Sequence, residues 1–349
     1  MEIQTQNPTE IPESPLSEID KEIGQFIDNA HFKKLLSVFG YEQPEHPITL
    51  QEQLLSLKAF TNTTWDFRGG KERYEAAQQT LTEDQEKFIL DQAEKMGMVG
   101  PTFPSKGSYD AILILGAIGK QPLLRTEFAR DCGAEAPLIV SLGSENPLPA
   151  DRSSVDDYAP TAKTEFGLMK AAIERAYGRE PAITNHYGSP QENRPLVLTP
   201  QFPKGEWDSE AETNSSFPKD HPNETWKISH YPGNGTTSVP EIFALSSPSS
   251  EPEKRRANTA DTYNYLSHLL PSDVKDILIV TCGIFVPFQG FDAERMLALP
   301  YGKTVETIGF DTRDSKSHKP QNYLQEINSA INSANLLYNA AQTASPQST

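Results

Sequence analysis

The sequence predicts an α/β chain: a mostly parallel sheet with helices on both faces, preceded by an N-terminal helical module. Three observations carry that prediction. From Tyr109 onward, short apolar runs that end in glycine or turn residues recur along the chain. Helical stretches of roughly 10–18 residues separate them, which is the signature of right-handed β–α–β crossovers in a parallel sheet. Before Tyr109 the apolar residues instead follow three- and four-residue spacing. At 349 residues the chain exceeds the roughly 100–200 residues of an ordinary single domain, so two units or one large decorated one are expected.

The elements follow in order. Residues 1–17 are rich in Pro, Glu and Ser and read as a flexible tail. The helical module spans 18–107. Its first segment, IDKEIGQFIDNAHFKKLLSVFG, places Ile19, Ile23, Phe26, Ile27, Leu35 and Leu36 on one face and stops at Gly40, as one amphipathic helix would. ITLQEQLLSLKAF and LTEDQEKFILDQAEKMG follow as helices. Thr82 with Gln85 three residues on forms a capping-box pattern. The α/β domain then runs over 108–340. YDAILILGA reads as a strand buried on both faces, and APLIVSLGS, EIFALSS, KDILIVTCG and TVETIGFD are further strands. Helices are expected at QPLLRTEFARDCG, TAKTEFGLMKAAIERAYG, RRANTADTYNYLSHLL, FDAERMLAL and YLQEINSAINSANLLYNAAQ, and 341–349 reads as a second flexible tail. Residues 181–252 interrupt the alternation with 11 of the chain's 28 prolines, and with Trp207 and Trp226. A Pro-rich insertion at about 181–240 is expected, either a lid in which LVLT and TWKISHY make a small hairpin, or a disordered loop.

Composition narrows the function classes. The formal charge is −17, with 48 acidic and 31 basic residues. A general nucleic-acid surface needs clustered Lys and Arg, so no nucleic-acid partner is expected. The same charge repels anionic membranes, and the longest apolar run, Ala111 to Ile118, is far short of the roughly 20 residues of a membrane helix. Two distant cysteines, Cys132 and Cys282, and a start without a basic-then-apolar leader predict a cytoplasmic protein. No metal site is expected, because no HxxxH, HxH or CxxC spacing occurs.

Open parallel sheets bind ligands outside the carboxyl ends of their strands. Here those ends carry Gly116-Ala117-Ile118-Gly119-Lys120, Gly143-Ser144 and Thr281-Cys282. Glycine lets the backbone approach a ligand, and the helix that follows points its amides at an anion. Lys120 and Arg125 lie close to that turn. The segment is neither GxGxxG nor a Walker motif, so a plain strand-to-helix turn is the competing reading. Arg255 and Arg256 precede a helix capped by Asn258 or Thr259. Cations are disfavoured at that end of a helix dipole, so an anion, either ligand or carboxylate, is expected beside them. Glu165 opens another helix; it is either dipole compensation or the general base. Cys282 reads as a buried, inert thiol, because no histidine is nominated as its partner.

In order, YDAILILGA, Arg125, LIVSLGS, Thr164-Glu165, RRANTADT and ILIVTCGIFVPFQGFDAERML resemble the YdcF/SanA/ElyC-like family of α/β proteins, over roughly residues 108–180 and 240–312. WDFRGGKERYEAA (65–77), with LGAIGKQPLLRTEFA, looks like a larger, cytosolic bacterial subgroup. The resemblance implies a Rossmann-like α/β/α core with a pocket for a small anionic or nucleotide-like ligand. Two departures stand out. Gly116-Ala117 replaces a glycine pair, and Phe285-Val286-Pro287-Phe288-Gln289 replaces His-Met-Pro-Arg-Ala, for which Arg68, Arg255 or Arg256 could substitute. The expected function is binding of a phosphorylated or adenosyl small molecule (S-adenosylmethionine or a nucleotide), with transferase or hydrolase activity open. Gly116, Gly119, Lys120, Arg125, Gly143, Ser144, Arg256, Asn258, Thr259 and Thr281 would bind, and Glu165 would do the chemistry. The alternative is a non-enzymatic interaction protein that engages a protein partner through its acidic surface, helical module and insertion, with a vestigial pocket.

Overall fold

A computed structural model describes residues 15–44, 46, 48–69, 80–149, 154–180, 198, 226–313, 315 and 318–344. Its centre is a six-stranded sheet. The strands are β1 (Ala111–Leu115), β2 (Leu138–Gly143), β3 (Lys227–Tyr231), β4 (Glu241–Ser246), β5 (Asp276–Cys282) and β6 (Thr304–Phe310), in the order β3-β4-β2-β1-β5-β6. All neighbours are parallel except β3, which lies antiparallel to β4 at one edge. After β1 the chain moves outward to β2 on one side and later returns to β5 on the other, so the order reverses beside β1. This is the predicted α/β class.

The apolar runs explain the layers. In β1, Ala111, Leu113 and Leu115 face one core with Val140, Phe243, Tyr263, Leu266 and Ala293, while Ile112 and Ile114 face another with Phe166, Met169 and Ile173. A strand packed on both faces cannot alternate polar and apolar residues, hence the continuous AILIL. Helices α5 (Gln121–Asp131) and α6 (Glu165–Tyr177) cover one face. The other is covered by α7 (Thr259–Ser267) and by α8 (Val286–Ala293), which continues through a π-helical turn at Glu294–Ala298 into Leu299–Tyr301.

The N-terminal helices are α1 (Pro15–Ile27), α2 (Ala30–Val38), α3 (Leu50–Thr64) and α4 (Glu83–Lys95). With the long α9 (Pro320–Ala344) they share one apolar cluster that also takes in Cys282, Phe285, Phe291 and Phe310 at the ends of β5 and β6. The helical region is therefore packed on the C-terminal end of the sheet. Among the described residues no helix is long and apolar enough to cross a membrane.

Several expectations change. The first helical segment is two helices, because the Asn29 side chain accepts the amides of His31 and Phe32 and starts α2 afresh. The Thr82–Gln85 capping box forms as expected, and Thr49–Glu52 forms a second. Helix extends into both expected tails, from Pro15 and as far as Ala344, with Ala341 buried. The expected hairpin partner LVLT lies outside the described residues except for Leu198, whose amide donates to Leu269 O; KISHY itself is a strand of the sheet. It joins the main sheet as β3, held by its ladder to β4, by the buried His230 Nε2–Glu241 Oε2 bond of 2.7 Å and by stacking of His230 on Phe243. The expected lid, 181–225 apart from the buried Leu198, lies outside the described residues.

Candidate functional site

A cleft of about 1370 Å³ opens at the C-terminal end of the sheet, where the strand order reverses beside β1. That is where an open α/β sheet binds its ligands. Its floor is the turn after β1. Gly116 has no alternative there: a Cβ on it would lie 2.5 Å from both Glu165 Oε1 and Leu142 O. Gly119 has φ +70°, a left-handed conformation that side chains disfavour, and its carbonyl accepts from Tyr158 Oη at 2.8 Å. Helix α5 then begins with no side-chain cap.

Arg125 lines the cleft floor from below and is 1% exposed. Its Nη1 donates to Leu115 O at 2.7 Å and Gly116 O at 2.5 Å, and its guanidinium lies 5.6 Å from the centre of the Phe285 ring. It fixes the turn and adds positive charge beneath it. Lys120 lies at the rim, 3.3 Å from Asp157.

Ser144 ends the wall made by β2. Its hydroxyl donates to Glu165 Oε2 at 2.5 Å, and Phe166 N donates to Ser144 O at 2.9 Å, so the start of α6 is sewn to the strand end. Gly143 gives the room for this, since a Cβ there would press on Met169 at 3.1 Å. Burial pushes the Glu165 carboxyl above its ordinary range, against the Ser144 bond and the charges of Arg256 and Arg125. Such a carboxyl sits closer to neutrality than a surface glutamate and is suited to holding and passing a proton.

The two arginines before α7 have separate tasks. Arg255 is bound to the Asp261 carboxylate and to Glu251 and Ser250, so its expected anion is the protein's own. Asp261 also accepts from Asn258 N at 2.9 Å while Asn258 Oδ1 accepts from Asp261 N at 3.0 Å, a reciprocal capping box. Asn258 and Thr259 reach the cleft wall as parts of this helix start, and Arg256 lines the cleft near enough to act on Glu165. Thr281 is the expected residue that does not reach the cleft. It is fully buried and donates to Gln289, which does. Cys282 is buried in the helical cluster.

Apart from Arg68, which the sequence offered as a substitute cation, the opposite wall comes from residues the sequence did not nominate. Gln289, Asp292 and Arg295 descend from α8, Lys319, Gln321 and Asn322 from the start of α9, and Arg68, Leu81 and Glu86 from the N-terminal helices and their connections. The position after β5 was the available signal, since anything following a parallel strand starts at this end of the sheet. Among the described lining residues there are six cations (Arg68, Lys120, Arg125, Arg256, Arg295, Lys319) and three carboxylates (Glu86, Glu165, Asp292). A chain of net charge −17 thus lines one cleft with a positive excess.

Residues 11–97 match the Rv3785 N-terminal domain. That match covers the helices that wall the cleft through Arg68, Leu81 and Glu86. The chain is also similar to the uncharacterized protein Rv3785 of Mycobacterium tuberculosis (strain ATCC 25618 / H37Rv), with 29% identity over 334 residues, covering 87% of this chain and 85% of the relative. The uncharacterized protein Mb3814 of Mycobacterium bovis matches with the same identity and coverage. These matches correct the YdcF/SanA/ElyC-like assignment: the similarity that spans the chain, helical region included, is to Rv3785. Strand-end glycines and capped helix starts recur wherever a parallel sheet feeds a helix, so their order reported the fold and not the family. No solved structure matches.

Proposed function

We propose that the strand-end cleft binds a small anionic molecule, of the phosphorylated or nucleotide-like kind. The observation that carries this reading is the excess of cations lining the cleft of a strongly acidic chain. Like charges gathered in a concave, low-dielectric site repel one another unless an anion joins them. Arg256 brings the planar guanidinium that grips a phosphate or carboxylate through two hydrogen bonds, the uncapped start of α5 supplies backbone amides, and Gly116 and Gly119 let the ligand approach the main chain. Lys120, Asn258 and Thr259 complete the ring around it. Glu165, bonded to Ser144 at 2.5 Å, would accept or hold a proton from a ligand hydroxyl or a water, which is the step any transferase or hydrolase activity here would use.

A vestigial pocket in a protein that only engages other proteins would be expected to have filled, and a cleft of about 1370 Å³ favours the binding reading over it. Native mass spectrometry of the purified protein, followed by thermal shift against nucleotides, S-adenosylmethionine and sugar phosphates, tests the proposal. A co-purifying or stabilising anion whose effect is lost in Arg256→Ala is expected. No bound species and no shift across the panel would move the function to protein interaction.

A further inference from the structure

The anion-binding turn occupies only part of the cleft. At about 1370 Å³ the whole exceeds the roughly 300–1,000 Å³ of common small-molecule sites, and its far wall differs in character. Where α8 runs into the π turn, the carboxylate of Asp292 and the guanidinium of Arg295 lie 3.2 Å apart and compensate each other, and Lys319, just before α9, is a further cation on this side. Gln289, whose Oε1 accepts from Thr281 and whose amide nitrogen is a donor, and Asn322 add neutral amides to this side of the cleft.

Donors and acceptors side by side around a compensated ion pair match hydroxyl groups, which also do both. The two walls are adjacent. β1 and β5 are hydrogen-bonded neighbours, about 4.8 Å apart as sheet strands are, and Arg125, which holds Gly116 O, rests over Phe285 just before α8. A ligand with a phosphate on the Gly116 turn therefore carries its next few atoms onto the α8 wall.

We infer that the cleft is built for a polyhydroxylated phosphate ester, a phosphorylated sugar either free or as the ribose phosphate of a nucleotide, with Gln289, Asp292, Arg295 and Asn322 reading its hydroxyls. This assignment rests on the anion-binding reading of the same cleft and adds a second station to it.

The test is isothermal titration of inorganic phosphate, ribose 5-phosphate, 2-deoxyribose 5-phosphate and AMP into wild type, Asp292→Asn, Asn322→Ala and Arg256→Ala. Ribose 5-phosphate should bind at least tenfold more tightly than inorganic phosphate, and the deoxy sugar should fall between them. Asp292→Asn and Asn322→Ala should each reduce that advantage several-fold while leaving inorganic phosphate unchanged; Arg256→Ala should weaken every compound. Asn322 is partly exposed at the start of α9, so its variant keeps the test intact should Asp292→Asn unfold. If wild type binds ribose 5-phosphate no better than phosphate, or the advantage survives in every folded α8 or α9 variant, the second station is wrong and the anion site stands. If none of the four compounds binds wild type, both readings fall together. AMP binding tenfold or more tightly than ribose 5-phosphate identifies the nucleotide as the source of the sugar phosphate; equal affinities identify the free sugar.

Discussion

The two ends of the sheet handle charge in opposite ways. At the N-terminal end, where β1, β4 and β5 begin, a smaller cavity of about 290 Å³ is edged by Asp110, Glu241 and Asp273. Two of these carboxylates are committed. Asp110 Oδ2 accepts from the amides of Lys275 and Asp276 at 2.7 and 2.9 Å, and Glu241 accepts from His230. Close by, Glu306 on β6 accepts from the Ser105 amide and hydroxyl at 2.7 and 2.6 Å and from the Tyr109 hydroxyl. Burial alone would raise Glu306, but these donors hold it below the ordinary glutamate range. At the C-terminal end burial wins. Glu165 and Asp292 are raised, and Glu294, on the π turn beside Arg295, is pushed up to about 8 by burial and by the facing charges of Glu22 and Glu18 on α1. One end is bonded to itself, as a structural end should be. The other keeps polar groups in environments that do not favour their charge, which is where functional groups are commonly found.

The sharpest way to break this contrast is Gly116→Ala. The added methyl would lie 2.5 Å from Leu142 O, a backbone atom that cannot rotate away. A loss on the order of 3 kcal/mol in chemical denaturation is expected, together with loss of ligand binding. A smaller change would mean that the turn is looser than its contacts imply.

Glu294→Gln comes next. A carboxyl with a folded value near 8 and an unfolded value near 4.3 is protonated in the fold when the unfolded chain has already lost its proton. Wild-type stability therefore falls as pH rises from about 4.5 to 8, and the glutamine variant escapes that fall. The variant should gain on the order of 2 kcal/mol over wild type at pH 8 relative to pH 5, read from melting temperatures across that range. Parallel curves for the two proteins would show that α1 does not confine Glu294.

Glu306→Gln should behave in the opposite sense and by less. A lowered carboxyl contributes stability that is complete above its unfolded value and disappears as pH falls through the folded one. The variant should lose about 1 kcal/mol at pH 7, and the loss should shrink steadily as pH falls below the unfolded glutamate range, by the same melting measurement. A loss independent of pH would assign the effect to packing.

How much of this was legible in the sequence follows from where each piece's information lies. AILIL and LIVSLG advertise buried parallel strands within five or six residues, and the strand-end rule then points to Gly116 and Ser144, while Arg256 stands out as a cation placed ahead of a helix start. The break between α1 and α2 was also written locally, in Asn29, but it was outweighed by an apolar spacing that continues across it. The α8–α9 wall could not be read. Arg68, Gln289, Arg295 and Asn322 are brought together only because the helical region packs on the ends of β5 and β6. Nothing in a linear pattern distinguishes Arg295 from a solvated arginine until the π turn and the Asp292 pairing are in place. Likewise KISHY looks like half of a hairpin, and only β4 makes it the edge of the main sheet.

The central claim is that one end of the sheet recognises an anion and the other holds the fold. The most direct test is the affinity for the most stabilising phosphorylated compound, measured side by side on wild type, Arg256→Ala and Asp110→Asn, with a melting temperature for each. At least tenfold weaker binding is expected in Arg256→Ala at near-unchanged stability, and unchanged binding in Asp110→Asn with a loss of about 1 kcal/mol in stability. Wild-type affinity in Arg256→Ala, or equal weakening in both variants, would contradict that claim.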